Sequence, residues 1–129
     1  HILKGIEVYK GKVIIHSLGN FALEDEIGRR EGEPITPMLR SYVENEMLAC
    51  GPRSPDDQKS IIVKCLISGK KIERVSYIPV LLEDDANPEP LPRSDPRSQD
   101  VVKYMEDITR AAGLDTKFSR EGDEVVIGL

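Results

Sequence analysis

An α+β fold built mostly of antiparallel hairpins, with two helices, is what this sequence predicts. Three observations predict it. Paired runs rich in β-branched and apolar residues flank short glycine turns, at Ile2–Tyr9 with Val13–Ser17 and again at Lys59–Ser68 with Lys71–Leu82. Two other stretches open on a capping residue followed by proline, Thr36-Pro37 and Asp95-Pro96, and carry apolar residues at helical spacing. A last pair of short β-type runs closes the chain around Gly122.

Taken in order, Lys10-Gly11-Lys12 supplies the first turn, since its glycine accepts a positive φ. The run Ala22 to Pro37, with Gly28, Gly32 and Pro34, reads as an exposed loop. The first helix follows Thr36, with Met38, Leu39, Tyr42, Val43 and Met47 along one side, and stops at Gly51-Pro52. This loop and helix form an insertion at 22–57. From Lys59 to Ser68 the residues alternate, Ile61, Val63, Cys65 and Ile67 on one side, Ile62, Lys64 and Leu66 on the other. Gly69-Lys70 turns the chain back through Ile72, Val75, Tyr77, Ile78 and Val80. Two hairpins this close in sequence predict one antiparallel sheet of at least four strands. Pro79 lacks a ladder donor, so it is expected at an edge or where regular pairing ends.

Residues 1–82 thus read as a sheet-forming part, and 83–129 as a strap, a helix and a hairpin. Pro88, Pro90, Pro92 and Pro96 stiffen the strap, which is expected to connect elements rather than pack as one. The second helix runs from its Asp95 cap to Gly113, with Val101, Val102, Met105, Ile108, Thr109 and Ala112 as its buried stripe. Lys117-Phe118 and Val125–Ile127 then flank a turn at Arg120–Asp123.

Composition narrows the function classes. At 129 residues the chain suffices for one domain with a modest core. With 39% hydrophobic residues, 5% aromatic and no tryptophan, that core must be Ile, Val and Leu. No apolar run reaches the length of a membrane span. A net charge of −5, with basic residues scattered, argues against nucleic acid, whose phosphates need a basic face. Cys50 and Cys65 lack a CxxC spacing, so they imply neither a zinc site nor a disulfide framework, and Cys65 is expected to be a small buried hydrophobe. Intracellular and cell-envelope locations both stay open.

The opening 21 residues carry the most specific pattern. A strand leads into Val8-Tyr9-Lys10-Gly11-Lys12, and a second strand runs into Ser17-Leu18-Gly19-Asn20-Phe21. This resembles the CapA family, bacterial proteins linked to poly-γ-glutamate capsule production. In that family a Gly-His-x-Pro-His metal segment leads through such a turn to a Ser-Leu-Gly-Asn-Phe motif. His1 falls at the last histidine of that segment, and 17–21 match residue for residue; His16 departs from the aromatic common before the serine. The resemblance loosens from Lys59 to Tyr77 and is only suggestive beyond.

The resemblance implies the C-terminal portion of a metallophosphatase-like α/β sandwich, severed from an N-terminal part that would be its partner. It also implies a parent site holding divalent metal ions (manganese, iron or zinc) that activate water. His1 would then be a metal ligand, while Asn20, Gly19, Ser17 and His16 would lie at the site rim. Each has a plainer reading. His1 is equally a frayed terminus or tag residue. Asn20 equally caps the strand end while Gly19 makes the turn. Ser17 has no base spaced to activate it, and a lone strand histidine such as His16 is usually structural. Glu24-Asp25-Glu26 reads as solvated loop, and Glu83-Asp84-Asp85 as a strand end lacking the glycine bend of a calcium loop. The family's other ligand motifs, Asp-x-His and Gly-Asn-His, are absent from the sequence. This chain alone is therefore expected to be catalytically inert and to carry no cofactor. The alternative, from another class, is a structural or binding module that uses an exposed sheet edge, with self-association among its possible uses.

Overall fold

The computed structural model describes residues 2–21, 55–82 and 87–129. In chain order the elements are β1 (Ile6–Tyr9), β2 (Lys12–Ile15), β3 (Lys59–Ser68), β4 (Lys71–Leu82), β5 (Pro88–Pro90), α1 (Pro96–Ala111), β6 (Phe118–Glu121) and β7 (Glu124–Ile127). The architecture is mixed α+β with antiparallel strand pairing throughout. The described residues hold one helix; the helix expected after Thr36 lies outside them, as does Cys50.

Two sheets form among the described residues, not one. Among the described residues β1 and β2 pair only with each other, whereas β3-β4-β7-β6 make a continuous sheet with β5 added to β4. The expected joining of the two hairpins is thus corrected: alternation fixes which side of a strand is buried, not which strand it bonds to. The first hairpin is also shorter than the sequence suggested. Leu3 and Leu18 meet only as an isolated bridge, and the turn is Lys10-Gly11, both at positive φ (50° and 68°).

In the larger sheet β4 is central. β3 covers one flank, and β7 and β5 share the other, facing Val75–Tyr77 and Val80–Leu82 respectively. Pro79 falls in the gap between them, where no ladder N–H is required of it. Its carbonyl accepts from Leu91 N–H at 2.9 Å. The proline therefore sits mid-strand and buried, at a local break in pairing. The strap corrects a second expectation, since Pro88–Pro90 is itself a strand and Leu91 is fully buried.

α1 lies across one face of this sheet. Asp95 caps it by accepting from Arg97 N–H at 2.9 Å, with Pro96 in the first turn. Its carboxyl-terminal end closes as a Schellman motif: Leu114 N–H bonds Thr109 C=O (3.1 Å), Gly113 N–H bonds Arg110 C=O (2.9 Å), and Gly113 takes φ 75°. Ser98, Val101, Val102, Met105 and Thr109 form the buried stripe. Ala112, expected among them, is exposed because the chain has left the helix there. Against the stripe pack Ile61, Val75, Tyr77, Leu91, Val125 and Ile127, joined by Leu3 and Ile6 from the first hairpin. Tyr77 and Phe118 meet edge to face, 6.1 Å between centroids. Cys65 is exposed, contrary to expectation, because the turn-ward end of the β3–β4 hairpin is exposed from Lys64 to Lys71.

Candidate functional site

The segment Ser17–Phe21 leaves β2 and is braced against the start of β3. Ser17 Oγ accepts from Gly19 N–H at 3.3 Å, a short local turn that commits the hydroxyl to the backbone. The Ser17 carbonyl accepts from Lys4 N–H at 3.5 Å, and Leu18 C=O accepts from the buried Ser60 hydroxyl at 3.0 Å. Gly19 sits at φ 75°, and a Cβ there would stand 2.8 Å from the Lys59 carbonyl oxygen. Both the left-handed backbone and the close approach require glycine. Asn20 is half-buried at this junction, and Phe21 is exposed.

The hairpin carrying this segment is held by hydroxyls from the far end of the chain. Ile6 N–H donates to Thr109 Oγ1 at 3.2 Å, and Ile6 C=O accepts from Thr116 Oγ1 at 2.7 Å. One threonine thus satisfies the donor and another the acceptor of a fully buried residue at the start of β1. Gly5 permits the approach, because a Cβ would lie 3.0 Å from Thr109 Cα and 3.2 Å from Ile108 O. Sequence reasoning placed Thr109 in the helix stripe, but it missed this role, and it missed Ser60 and Thr116 altogether. The available signal was a hydroxyl residue among aliphatics on a buried face.

The hairpin has two unlike faces. Ile6, Val8, Val13 and Ile15 pair across the strands and turn toward the core. Glu7, Tyr9, Ile14, His16 and Leu18 belong to the other face, where Tyr9, Ile14 and Leu18 are exposed. His16 Nε2 lies 3.2 Å from Glu7 Oε2 in a solvent-accessible pair. His1 lies outside the described residues. The structure therefore brings Ser17, Gly19 and Asn20 together at one turn and sets His16 on the outer face.

Among the described residues no group of three or more His, Cys, Asp or Glu side chains gathers to hold a metal ion. His16 and Glu7 are two donors engaged with each other. The described residues do not by themselves fit a metal. One electrostatic cluster lies on the sheet face away from α1. Glu124 bonds Lys64 Nζ and the Ser76 hydroxyl (2.7 Å), while Arg74 Nη1 reaches Glu121 at 2.7 Å. The Lys64 and Ser76 bonds hold the Glu124 carboxyl below the usual carboxylate range. A second cluster joins β5 to α1, with Arg97 Nη2 bonding Glu89 (3.0 Å) and Asp95 (2.6 Å). The other Glu89 oxygen stands 2.9 Å from Arg97 Nη1, an ion-pair approach without hydrogen-bond alignment. The first cluster balances two carboxylates with two cations, and the second sets Arg97 between two carboxylates; their contacts brace the sheet and the helix cap respectively. Tyr77 differs: its hydroxyl is buried without a partner among the described residues, and burial pushes its pKa well above that of an ordinary phenol, with the Glu106 charge adding to the shift.

Fold and site together define an α+β protein whose amino-terminal hairpin is docked onto a helix-covered antiparallel sheet. No family model and no curated protein matches the chain. No helix among the described residues is long and apolar enough to cross a membrane.

Proposed function

We propose that this chain is the C-terminal part of a CapA-like protein implicated in poly-γ-glutamate capsule biosynthesis, whose parent is a metal-dependent, metallophosphatase-like enzyme. The observation that carries the reading is the Ser17-Leu18-Gly19-Asn20-Phe21 motif at a strand exit. Its glycine is required by a positive φ and by the Lys59 carbonyl. The exposed outer face of the first hairpin supports it too, because Tyr9, Ile14 and Leu18 there, with Phe21 beside them, offer apolar surface for a larger sheet to cover.

In this reading the chain contributes architecture and one rim. Asn20 would present its amide toward an anionic group, while Ser17 keeps its role as a turn-maker. His1 would reach the metals of the parent, and the chain alone would be inert. The test is to read the coding sequence upstream of His1, then assay metal content in the protein it encodes. Asp-x-His and Gly-Asn-His segments are expected upstream, and His1→Ala should lower bound manganese, iron or zinc. A stop codon or an unrelated domain upstream would sink the proposal, as would unchanged metal content in the variant.

A further inference from the structure

We infer that the sheet face turned away from α1 is the packing surface for the chain's own segment 22–54, whose apolar run Met38, Leu39, Tyr42, Val43 and Met47 covers Val80 and Leu82. Burial supplies the first reason. On β4, Val75 and Tyr77 belong to the core beneath α1, and Leu81 packs against its margin. Val80 and Leu82 have the opposite parity and stand outside that core, yet they are only 0% and 4% exposed. Ser60, directly opposite Val80, is buried as well. Among the described residues, α1 and the buried Leu3 and Ile6 of the first hairpin all belong to the core on the other face. Val80 and Leu82 are shielded within a single copy of the chain, so a second molecule is not what covers them.

The rest of the chain narrows the occupant. Outside the described residues lie position 1 and the segments 22–54 and 83–86. The last is Glu83-Asp84-Asp85-Ala86, too short and too charged to seal an apolar surface. Segment 22–54 has the length, and the helical spacing of Met38, Leu39, Tyr42, Val43 and Met47 gives it an apolar side that must itself be buried. The other apolar surface within reach of Phe21 is the outer face of the first hairpin. Tyr9, Ile14 and Leu18 are exposed there, so the segment does not cover them.

Both ends of the segment stand at the matching end of the sheet. Before it, Leu18 C=O accepts from the Ser60 hydroxyl at 3.0 Å, and Gly19 lies against the Lys59 carbonyl. The chain thus passes the edge of β3 level with Val80, on a hydroxyl that belongs to the far face. After it, Gln58 C=O accepts from Leu82 N–H at 2.7 Å, so the chain returns beside Leu82. Gly51 to Ser54, which join the end of the apolar run to Pro55, reach at most about 14 Å. That tether keeps the run close to Val80 and Leu82. The face has a boundary that suits it. Ile62, Ile78, Val80 and Leu82 form an apolar half, about 14 Å long from Ile78 to Leu82. A helix from Pro37 to Cys50 is about 21 Å long, enough to lie across it. Beyond Ile62 and Ile78 the face turns charged, with Lys64, Ser76, Arg74 and Glu124 already bound to one another.

Methyl NOE spectroscopy on the full chain tests this. NOEs are expected from the Val80 and Leu82 methyls to the side chains of Leu39, Val43 and Met47. They should persist on dilution and be absent from isotope-filtered spectra of a mixed labelled and unlabelled sample. Val43→Asp puts a charge in the contact, and should speed amide exchange at Val80 and Leu82 at least about tenfold while Val125 and Ile127 keep their protection. If that variant does not fold, the NOEs of the unsubstituted chain decide the matter. NOEs from the segment to Tyr9 and Ile14 in place of Val80 overturn the inference, as do contacts seen only between molecules. So do Val80 and Leu82 methyls with no neighbour in 38–47, or unchanged exchange at Val80 in a folded Val43→Asp.

Discussion

The first hairpin and the body of β4, α1 and β7 are secured in different ways. The body is held by continuous packing: Val75, Tyr77, Leu91, Val101, Met105, Val125 and Ile127 lose nearly all contact with water, and no single contact defines their arrangement. The hairpin contributes Leu3 and Ile6 to the fully buried core and lays the partly buried Val8, Val13 and Ile15 against it. It is otherwise placed by directional contacts, the Thr109 and Thr116 hydroxyls on Ile6 and the Ser60 hydroxyl on Leu18. A surface made of many weak contacts degrades gradually when one is removed. A dock made of a few hydrogen bonds and two glycine clearances depends on each of them.

The comparison breaks most visibly in the body. Met105→Ala deletes a fully buried side chain at the centre of the helix stripe, and should cost about 2–5 kcal/mol. Chemical denaturation should show a lower midpoint for the whole described fold, hairpin included. A normal midpoint would mean that the core relaxes around the gap.

Thr109→Val sharpens the contrast. It keeps the shape of the side chain but strips the acceptor from Ile6 N–H, leaving a buried donor unpaired at a cost of about 1–3 kcal/mol. The loss should be local. Hydrogen exchange at the Ile6 amide should accelerate while the Val125 and Ile127 amides keep their protection. Equal acceleration everywhere would show that the hairpin and the body open as one unit.

The smallest effect is expected at Tyr77. Its ring fills the core, but its hydroxyl has no partner among the described residues, so Tyr77→Phe should lie within about 0.5 kcal/mol of the parent or stabilise it. The pH dependence carries the sign. Burial raises the pKa of Tyr77 in the folded state, so the fold binds this proton more tightly than the unfolded chain does. Stability from that preference is fully present below the unfolded phenol value of about 10 and is lost as pH rises above it. Tyr77→Phe should therefore blunt alkaline unfolding. An unchanged alkaline profile would place the sensitive group elsewhere.

Much of this was legible in the residues. The β3–β4 and β6–β7 hairpins follow from their glycine turns and alternating runs, and α1 from Asp95-Pro96 at one end and Gly113 at the other. These signals are local, and local geometry decides them. What escaped is pairing between distant segments. Nothing near Ile6 announces that it binds Thr109 and Thr116, and nothing in Pro88–Pro90 announces a strand until β4 is beside it. Cys65 was misjudged for a related reason, since period-two patterning marks a face as apolar without saying how far the covering helix reaches. At the candidate site the turn formed by Ser17 and Gly19 could be read directly. The Ser60 brace and the engagement of His16 by Glu7 required register to be known first.

The two threonines on Ile6 also order events in time. They stand 103 and 110 positions along the chain from the residue they hold. During synthesis β1 and β2 leave the ribosome well before α1, yet their dock does not exist until Thr109 and Thr116 have followed. The hairpin is thus made well before it can find its place, and a nascent chain halted before Thr109 would carry an unanchored, partly greasy hairpin into the reach of chaperones and proteases.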